Sequence, residues 1–486
     1  MPELSHPIPT REKVLVIGAG PAGLAVSAAL QALEVPFDLV DRAKHVGGIW
    51  DLDRKDTPVW PAMEMISSRR TTQYEDLLRP VSYPEFLRPE QMGKYLRAYA
   101  ARHDLTEHFR PGVAVRRARP FEDGVWEVEL STGEIMIYRA VVSAHGISER
   151  PHLPEWAADA PRSVQVMHAK DWTGADGLEG RRVLVVGSGQ SAADIAVDAA
   201  RRALEVRWSM RTGHWVVPRR IAGRPGDVAL TREPSRLRGL NDRIAETVIA
   251  RTVGRPQDVG MPAPEAPLLE DQVIVSDDVL DRVREGRITV VGEVTGFLED
   301  GTLTHDAPRG KAGHRSFAAD LVVLATGYET GADHLPAEVV PRTGQGDPDL
   351  FLGAFPRGRD DLVLLGQQRV SGPALPILVQ QADLAAYLLK ATLDGDAAPS
   401  SARTALAEFR RLRAGSESAV PTAPAEGEGG LRERLGDLVG ARSVRPRQAA
   451  RSARDAGDDL VPAADGATLL ARLRTVRALF EADARA

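Results

Sequence analysis

The sequence predicts an α/β fold built from two doubly wound, Rossmann-like units, the second inserted within the first. Three observations carry this. A buried strand, a glycine-rich turn and a helix follow one another from Val14 to Leu33. The same order returns from Arg182 to about Ala203. Further short apolar runs, Ala140–Gly146, Asp320–Tyr328 and Leu362–Leu365, supply strands to complete two parallel sheets. Alternation of strands and helices of this kind specifies α/β architecture.

Composition excludes several function classes. Apolar residues make up 43% and charged residues 27% of 486, ordinary for a globular protein. A formal net charge of −6 leaves no basic footprint for nucleic acid. There is no cysteine, so disulfides, thiolate zinc sites, iron–sulfur clusters and a Cys-x-x-Cys redox pair are excluded; no metal site is expected. Redox chemistry would then run through a bound cofactor. Met1–Lys13 contains three prolines and no apolar core of a signal peptide. No apolar run reaches membrane-spanning length, so no membrane partner and a cytoplasmic location are expected.

The first glycine turn follows Val14-Leu-Val-Ile17, a continuous apolar run as in a parallel strand buried on both faces. In Gly18-Ala-Gly20-Pro-Ala-Gly23, Gly18 permits the tight turn, Gly20 admits a diphosphate, and Gly23 lets the helix approach the strand. Pro21 suits the first helical turn, and with Ala22 it opens a helix whose unpaired N–H groups face an anion. The next strand ends at Asp41, placed to accept from ribose hydroxyls. Strand, glycines, helix, strand and acid in this order form a dinucleotide-binding fingerprint. Val46-Gly-Gly-Ile-Trp50 reads either as backbone approaching a flat ligand or as a plain loop.

The second turn is Gly187-Ser-Gly189-Gln-Ser-Ala192, with Ala192 the tolerated third residue. Asp41 lies 23 residues after Gly18, and the same offset from Gly187 reaches Met210, followed by Arg211. A cation here suits a 2'-phosphate that a carboxylate would repel. The first site therefore reads as FAD and the second as NADPH. Arg207 is a second candidate, and either arginine has the alternative of a solvated strand-end charge.

The intervening chain carries a helix from Met92 to Ala101 and an alternating strand, Val125–Leu130. The strands at 140–146 and 320–328 each close one unit, and beyond about residue 328 the chain returns to the first. The division drawn is 1–160 and 320–395 for the FAD domain, 161–319 for the NADPH domain and 396–486 for a C-terminal extension. Within the extension, Ser416–Gly430 reads as a flexible linker. Leu469, Leu473, Val476 and Phe480 form an apolar stripe predicting a helix over Thr468–Ala482, packed on the body or on a partner subunit. A homodimer is left open.

These residues resemble the flavin-containing monooxygenases, a group that includes the related Baeyer–Villiger enzymes, over roughly residues 12 to 390. The likeness rests on the two glycine turns, Gly47–Trp50, Ala325-Thr-Gly-Tyr328, Tyr95-Leu-x-x-Tyr99 and Arg211-Thr-Gly-His-Trp-Val-Val-Pro-Arg219. The family fingerprint F-x-G-x-x-x-H-x-x-x-aromatic is matched by His168 and Trp172, whereas Arg162 and Val164 replace its Phe and Gly. The segment Met65–Arg70 lacks the family's asparagine; Ile66 or Ser67 stands there. The resemblance implies FAD reduced by NADPH, a C4a-peroxyflavin formed with O2, and transfer of one oxygen to a small organic substrate by N-, S- or carbonyl oxidation.

The expected cofactor-binding residues, besides Gly18, Gly20, Pro21, Ala22 and Gly23, are Asp41 and Arg42 at the strand end, Gly48 and Trp50 in the loop, and Ser67, Val115, Ala144 and Gln367. The second turn adds Gly187, Gly189, Gln190 and Ser191, its strand end Arg207 and Arg211, and the closing strand Ala325, Thr326 and Gly327. No catalytic acid, base or nucleophile is nominated, because the cofactor carries such chemistry; His168 reads as a positioning group or as a linker histidine. Two other functions stay open: an NADPH-dependent flavin reductase or oxidase without productive oxygenation, and a non-catalytic nucleotide-binding protein.

Overall fold

The computed structural model describes residues 10–230, 238–268, 273–306, 314–329, 331–343, 347–367, 370–371, 374–415 and 464–481. The expected linker Ser416–Gly430 lies outside them.

In chain order the elements that position the site are β1 (Val14–Ile17), α1 (Pro21–Ala32), β2 (Phe37–Asp41), α2 (Pro89–Arg102), β3 (Phe109–Pro111) and β4 (Ala140–Ser143). There follow β5 (Gln165–His168), β6 (Arg182–Val186), α3 (Gln190–Ala199), β7 (Glu205–Ser209), β8 (Thr289–Val291) and β9 (Leu321–Leu324). The last are β10 (Leu362–Leu364), α4 (Ala374–Asp394), α5 (Ser400–Gly415) and α6 (Gly466–Glu481). The fold is α/β with two five-stranded parallel sheets. One runs β10-β4-β1-β2-β3 and the other β5-β9-β6-β7-β8.

The two sheets repeat one plan. The glycine-turn strand is central, the strand after its helix lies on one side, and a later closing strand on the other. In the first, Val14 faces both Phe37 and Ala140; in the second, Val183 faces both Val206 and Leu321. Both faces are covered, so β1, β4 and β9 are buried along their length. Helix α1 presents small residues, Ala22, Gly23, Ala25 and Ala28, into the core, and packs on α4. It stops where Glu34 takes a left-handed φ of 54° ahead of Pro36.

The chain crosses between the sheets twice, once after β4 and once after β9. This corrects the drawn boundary at 320: β9 pairs with β6 and β5, so residues 321–324 belong to the second sheet. The strand within 320–328 closes the second unit, as its place after the second glycine turn implies, and the boundary falls after it. Return to the first sheet is made at β10, with Leu362 beside Val141. The two crossovers meet as a short antiparallel pair, Arg150–Pro151 against Tyr328–Glu329.

The stripe on α6 packs as expected, on the body: Leu469, Leu473, Val476 and Phe480 are all buried in the cluster shared with α1 and α4. Among the described residues no helix is long and apolar enough to cross a membrane.

Candidate functional site

At the first glycine turn the backbone is packed too tightly for side chains. A Cβ on Gly18, whose φ is +100°, would stand 2.4 Å from the Ala144 carbonyl oxygen. One on Gly23 would stand 1.8 Å from the Gly18 oxygen. One on Gly48 would stand 2.8 Å from the Gly20 Cα, and Gly47 N–H donates to the Ala19 oxygen at 2.9 Å. The Gly47–Trp50 loop therefore lies directly on the glycine turn. Trp50 is half-buried against the same core.

Asp41 is buried, and its carboxylate accepts from the Ala19 N–H at 2.7 Å and the Ala43 N–H at 2.8 Å. It ties the second strand to the glycine turn as well as presenting a negative edge. Arg42 turns to ion pairs with Asp56 and Glu149. Val113 N–H donates to the Asp41 carbonyl at 2.9 Å, so Val113 is the neighbour of Asp41. Val115 lies beyond it, opposite Leu130 in a three-stranded meander. Gln367 is buried just past β10 and donates to the Gly146 carbonyl at 3.4 Å. Ser67 is half-buried; its neighbour Ser68 is fully buried with an Oγ that has no hydrogen-bond partner.

The second turn repeats the geometry. A Cβ on Gly187, φ +137°, would stand 2.2 Å from the Ala325 oxygen, the counterpart of Gly18 and Ala144. Gly189 faces open space, with no atom within 4 Å of an added Cβ. Ser188 Oγ accepts from the N–H groups of Arg211 and Thr212 at 3.2 and 3.4 Å, which folds the Arg211 turn onto the glycine turn. Arg211 is half-buried, 3.6 Å from Glu293. Arg207 is committed elsewhere, to Glu205 at 2.6 Å and over the Phe317 ring at 4.5 Å.

Several other nominated side chains have protein partners in this structure. The Gln190 amide both donates to and accepts from the Val275 backbone, at 2.9 and 2.8 Å. Ser191 is exposed in the first turn of α3. Thr326 donates to the His152 carbonyl, and the Gly327 carbonyl accepts from His152 N–H and faces His168 Nε2, both at 3.0 Å. His168 thus fastens the crossover pair, and burial pushes its pKa down. Trp172 donates to Asp198 of α3 at 3.1 Å.

Sequence reasoning missed two groups. Ser143 Oγ lies 2.8 Å from His145 Nδ1 and 2.9 Å from His334 Nε2, and His145 Nε2 lies 2.8 Å from the Gly331 carbonyl. Burial lowers the pKa of both histidines, that of His334 to about 3, so the chain is neutral. Asp227 is the other, joined to Ser68 and Thr71. Ser143 and His334 are 191 residues apart, and Ser68 and Asp227 159, so no local pattern could have paired them.

Both helix N-termini fit a diphosphate. Neither α1 nor α3 has a capping side chain or a first-turn acid, and each starts from a glycine in extended backbone. The orphan N–H groups and the positive dipole end are thus left to an anion. The residues at the first site suit a flavin dinucleotide, with a flat-faced glycine loop at hand, and those at the second a nucleotide bearing a further phosphate.

Fold and cradles define a protein with two dinucleotide-type sites. The model of the flavin-binding monooxygenase-like family matches residues 11–407, and the chain belongs to that family. It is similar to dimethylaniline monooxygenase (N-oxide-forming) 2 of Oryctolagus cuniculus, 29% identical over 342 residues, 65% of this chain and 62% of that protein. It therefore spans less than two thirds of that relative's length. Flavin-containing monooxygenase 5 of Homo sapiens is 26% identical over 406 residues, 78% of this chain and 74% of that protein. Among solved structures, a flavin-containing monooxygenase from Stenotrophomonas maltophilia has a TM-score of 0.59 at 19% identity, covering 78% of this chain and 98% of that one. OTEMO in complex with FAD and NADP has a TM-score of 0.61 at 19% identity, covering 83% and 90%.

Proposed function

We propose that the protein is a flavin-dependent monooxygenase that uses FAD, NADPH and O2 to place one oxygen atom on a small organic substrate by N-, S- or carbonyl oxidation. The observation that carries this is a duplicated glycine cradle with opposite charge at the end of its second strand, Asp41 in one and, one residue past the equivalent Met210, Arg211 in the other. The first sheet then forms the FAD domain, including β10, and the second, β5 through β9, the NADPH domain.

When bound, the flavin supplies hydride acceptance and the reaction with O2. The protein's part is binding, orientation and exclusion of water. Gly20 and the first turn of α1 hold the FAD diphosphate. Asp41 faces its ribose, and Gly47–Trp50 closes over it. Gly189 with the first turn of α3 would hold the NADPH diphosphate, and Arg211 would take the 2'-phosphate. The crossover pair and His168 keep the two cradles in one frame. No side-chain acid or base is required of this chain.

The test is anaerobic mixing of the flavin-loaded protein with NADPH, followed by air and a panel of amines, thioethers and ketones. Bleaching of the oxidised flavin's visible absorbance and product heavier by one oxygen support the proposal. Peroxide release with no product would support a reductase or oxidase instead, the reading favoured by a Met65–Arg70 segment without an amide side chain. No bleaching would leave a nucleotide-binding protein.

A further inference from the structure

Residues 65–74 are anchored in the first unit's core at Met65 and Tyr74 and reach, between them, a helix of the second unit. At one end Tyr74 Oη donates to the Pro21 carbonyl at 2.8 Å, in the first turn of α1. At the other, the backbone N–H of Ser68 donates to Asp227 Oδ2 at 2.7 Å, and Thr71 Oγ1 donates to the same oxygen. Asp227 belongs to the excursion of the second unit between β7 and β8, on the short helix Gly226–Ala229. Its Oδ1 accepts from Val228 N–H at 2.9 Å, which fixes the carboxylate on that helix. The turn itself needs Gly226, because a Cβ there would stand 2.7 Å from the Pro218 carbonyl oxygen. The turn Arg69–Thr71 also packs against α4 of the first unit.

We propose that Asp227 is a positioning residue: a latch from the second unit onto Ser68 and Thr71 that sets how far the nicotinamide carrier stands from the flavin cradle. This rests on the proposed FAD and NADPH sites. The link runs along the backbone of one short segment, from Tyr74 on the α1 first turn to Thr71 and Ser68 on Asp227. Two donors converge on one carboxylate oxygen, and charge-assisted bonds of this kind hold geometry more firmly than neutral ones. Hydride transfer needs reacting atoms in near-attack contact, and a displacement of about 1 Å costs on the order of 100-fold.

The experiment uses full-length protein carrying Asp227→Ala, Asp227→Asn or Thr71→Val. Hydrogen exchange read at the Ser68 amide should be about 10-fold faster or more in Asp227→Ala, with or without nucleotide, while strand amides are unchanged. In anaerobic stopped flow the limiting rate of flavin reduction should fall about 10- to 100-fold in Asp227→Ala. NADPH Kd should stay within about threefold and FAD content should be unchanged, since neither cradle is touched. Asp227→Asn keeps an acceptor oxygen and should restore most of the rate. Thr71→Val removes one donor from the other side, gives a smaller loss, and serves if Asp227→Ala does not fold. Unchanged Ser68 exchange in Asp227→Ala, or a limiting rate equal to wild type, overturns the latch. A rate lost only together with flavin content overturns it too. If wild-type flavin is not reduced by NADPH, the functional reading has failed, and Ser68 exchange alone still decides whether Asp227 latches the units.

Discussion

The two glycines of the second turn should respond oppositely to the same methyl group. In Gly187→Ala the new Cβ meets the Ala325 carbonyl oxygen at 2.2 Å, on a backbone with φ +137°. Strain in such a region costs about 1–3 kcal/mol and forced overpacking about 1–3 kcal/mol more. With about 2–4 °C per kcal/mol for a domain of this size, Tm should fall by roughly 5–20 °C. In Gly189→Ala the Cβ enters open space on a backbone with φ −89° and ψ −173°, which alanine adopts freely. Removing a glycine there stabilises by about 0.4–1 kcal/mol, so Tm should hold or rise slightly. The methyl nevertheless stands where the diphosphate would approach α3. Losing one hydrogen bond to a charged group costs about 1.5–3 kcal/mol, which is on the order of 10- to 100-fold in NADPH Kd. Calorimetry and fluorescence titration read the two quantities separately. A Gly189→Ala protein that binds NADPH as wild type does would refute the placement of the diphosphate over residue 189. A Gly187→Ala protein that melts with wild type would refute the steric argument.

Four further outcomes follow from the same geometry. Arg211→Ala should weaken NADPH binding about 10- to 100-fold and leave NADH binding nearly unmoved. Arg207→Ala should change stability more than selectivity, because that side chain is held by Glu205 and Phe317; a collapse of the NADPH/NADH ratio in Arg207→Ala alone would reverse the assignment. Gly20→Ala should fold, since a Cβ there meets the Gly48 Cα at 3.5 Å and the Gly48 nitrogen at 4.0 Å, both ordinary contacts, while the bulkier Gly20→Val should purify without FAD; full flavin occupancy in Gly20→Val would sink the first site. His334, pushed down to about 3 by burial, stays neutral in the fold while the unfolded chain takes up a proton near pH 6.5. Between those values the unfolded state binds more protons, so stability falls as pH falls, by up to about 1.4 kcal/mol per pH unit. His334→Gln should flatten the decline of Tm below pH 6.5, and an unchanged slope would show that other groups govern it.

What the sequence made legible is local. Strand, glycine turn and helix are contiguous, so their order, and the need for glycine at Gly18, Gly23 and Gly187, could be read directly. The apolar stripe from Leu469 to Phe480 is likewise a periodic feature, and it packs as its spacing requires. What escaped depends on separation along the chain. The crossover pair at Arg150 and Glu329 and the contact of Asp227 with Ser68 are set by tertiary pairing.

A second kind of shortfall concerns which atoms do the binding. Side chains were nominated at Arg42, Gln190, Arg207 and Thr326, yet each is held by protein partners: Asp56 and Glu149, Val275, Glu205, and His152. The cradles themselves are made of backbone. A diphosphate suits N–H groups at a helix start; at the first cradle the turn and helix start are only glycine, alanine and proline, whereas the second carries Ser188, Gln190 and Ser191. Polar side chains around such a site are then free to hold the turn in shape, as Ser188 does for Arg211 and Asp41 does for Ala19. The sign of charge just past the second strand is the main place where the two cradles differ in chemistry. That is why the distinction between the two cofactors rests on Arg211, and why its substitution tests the functional reading more sharply than any change within the glycine turns.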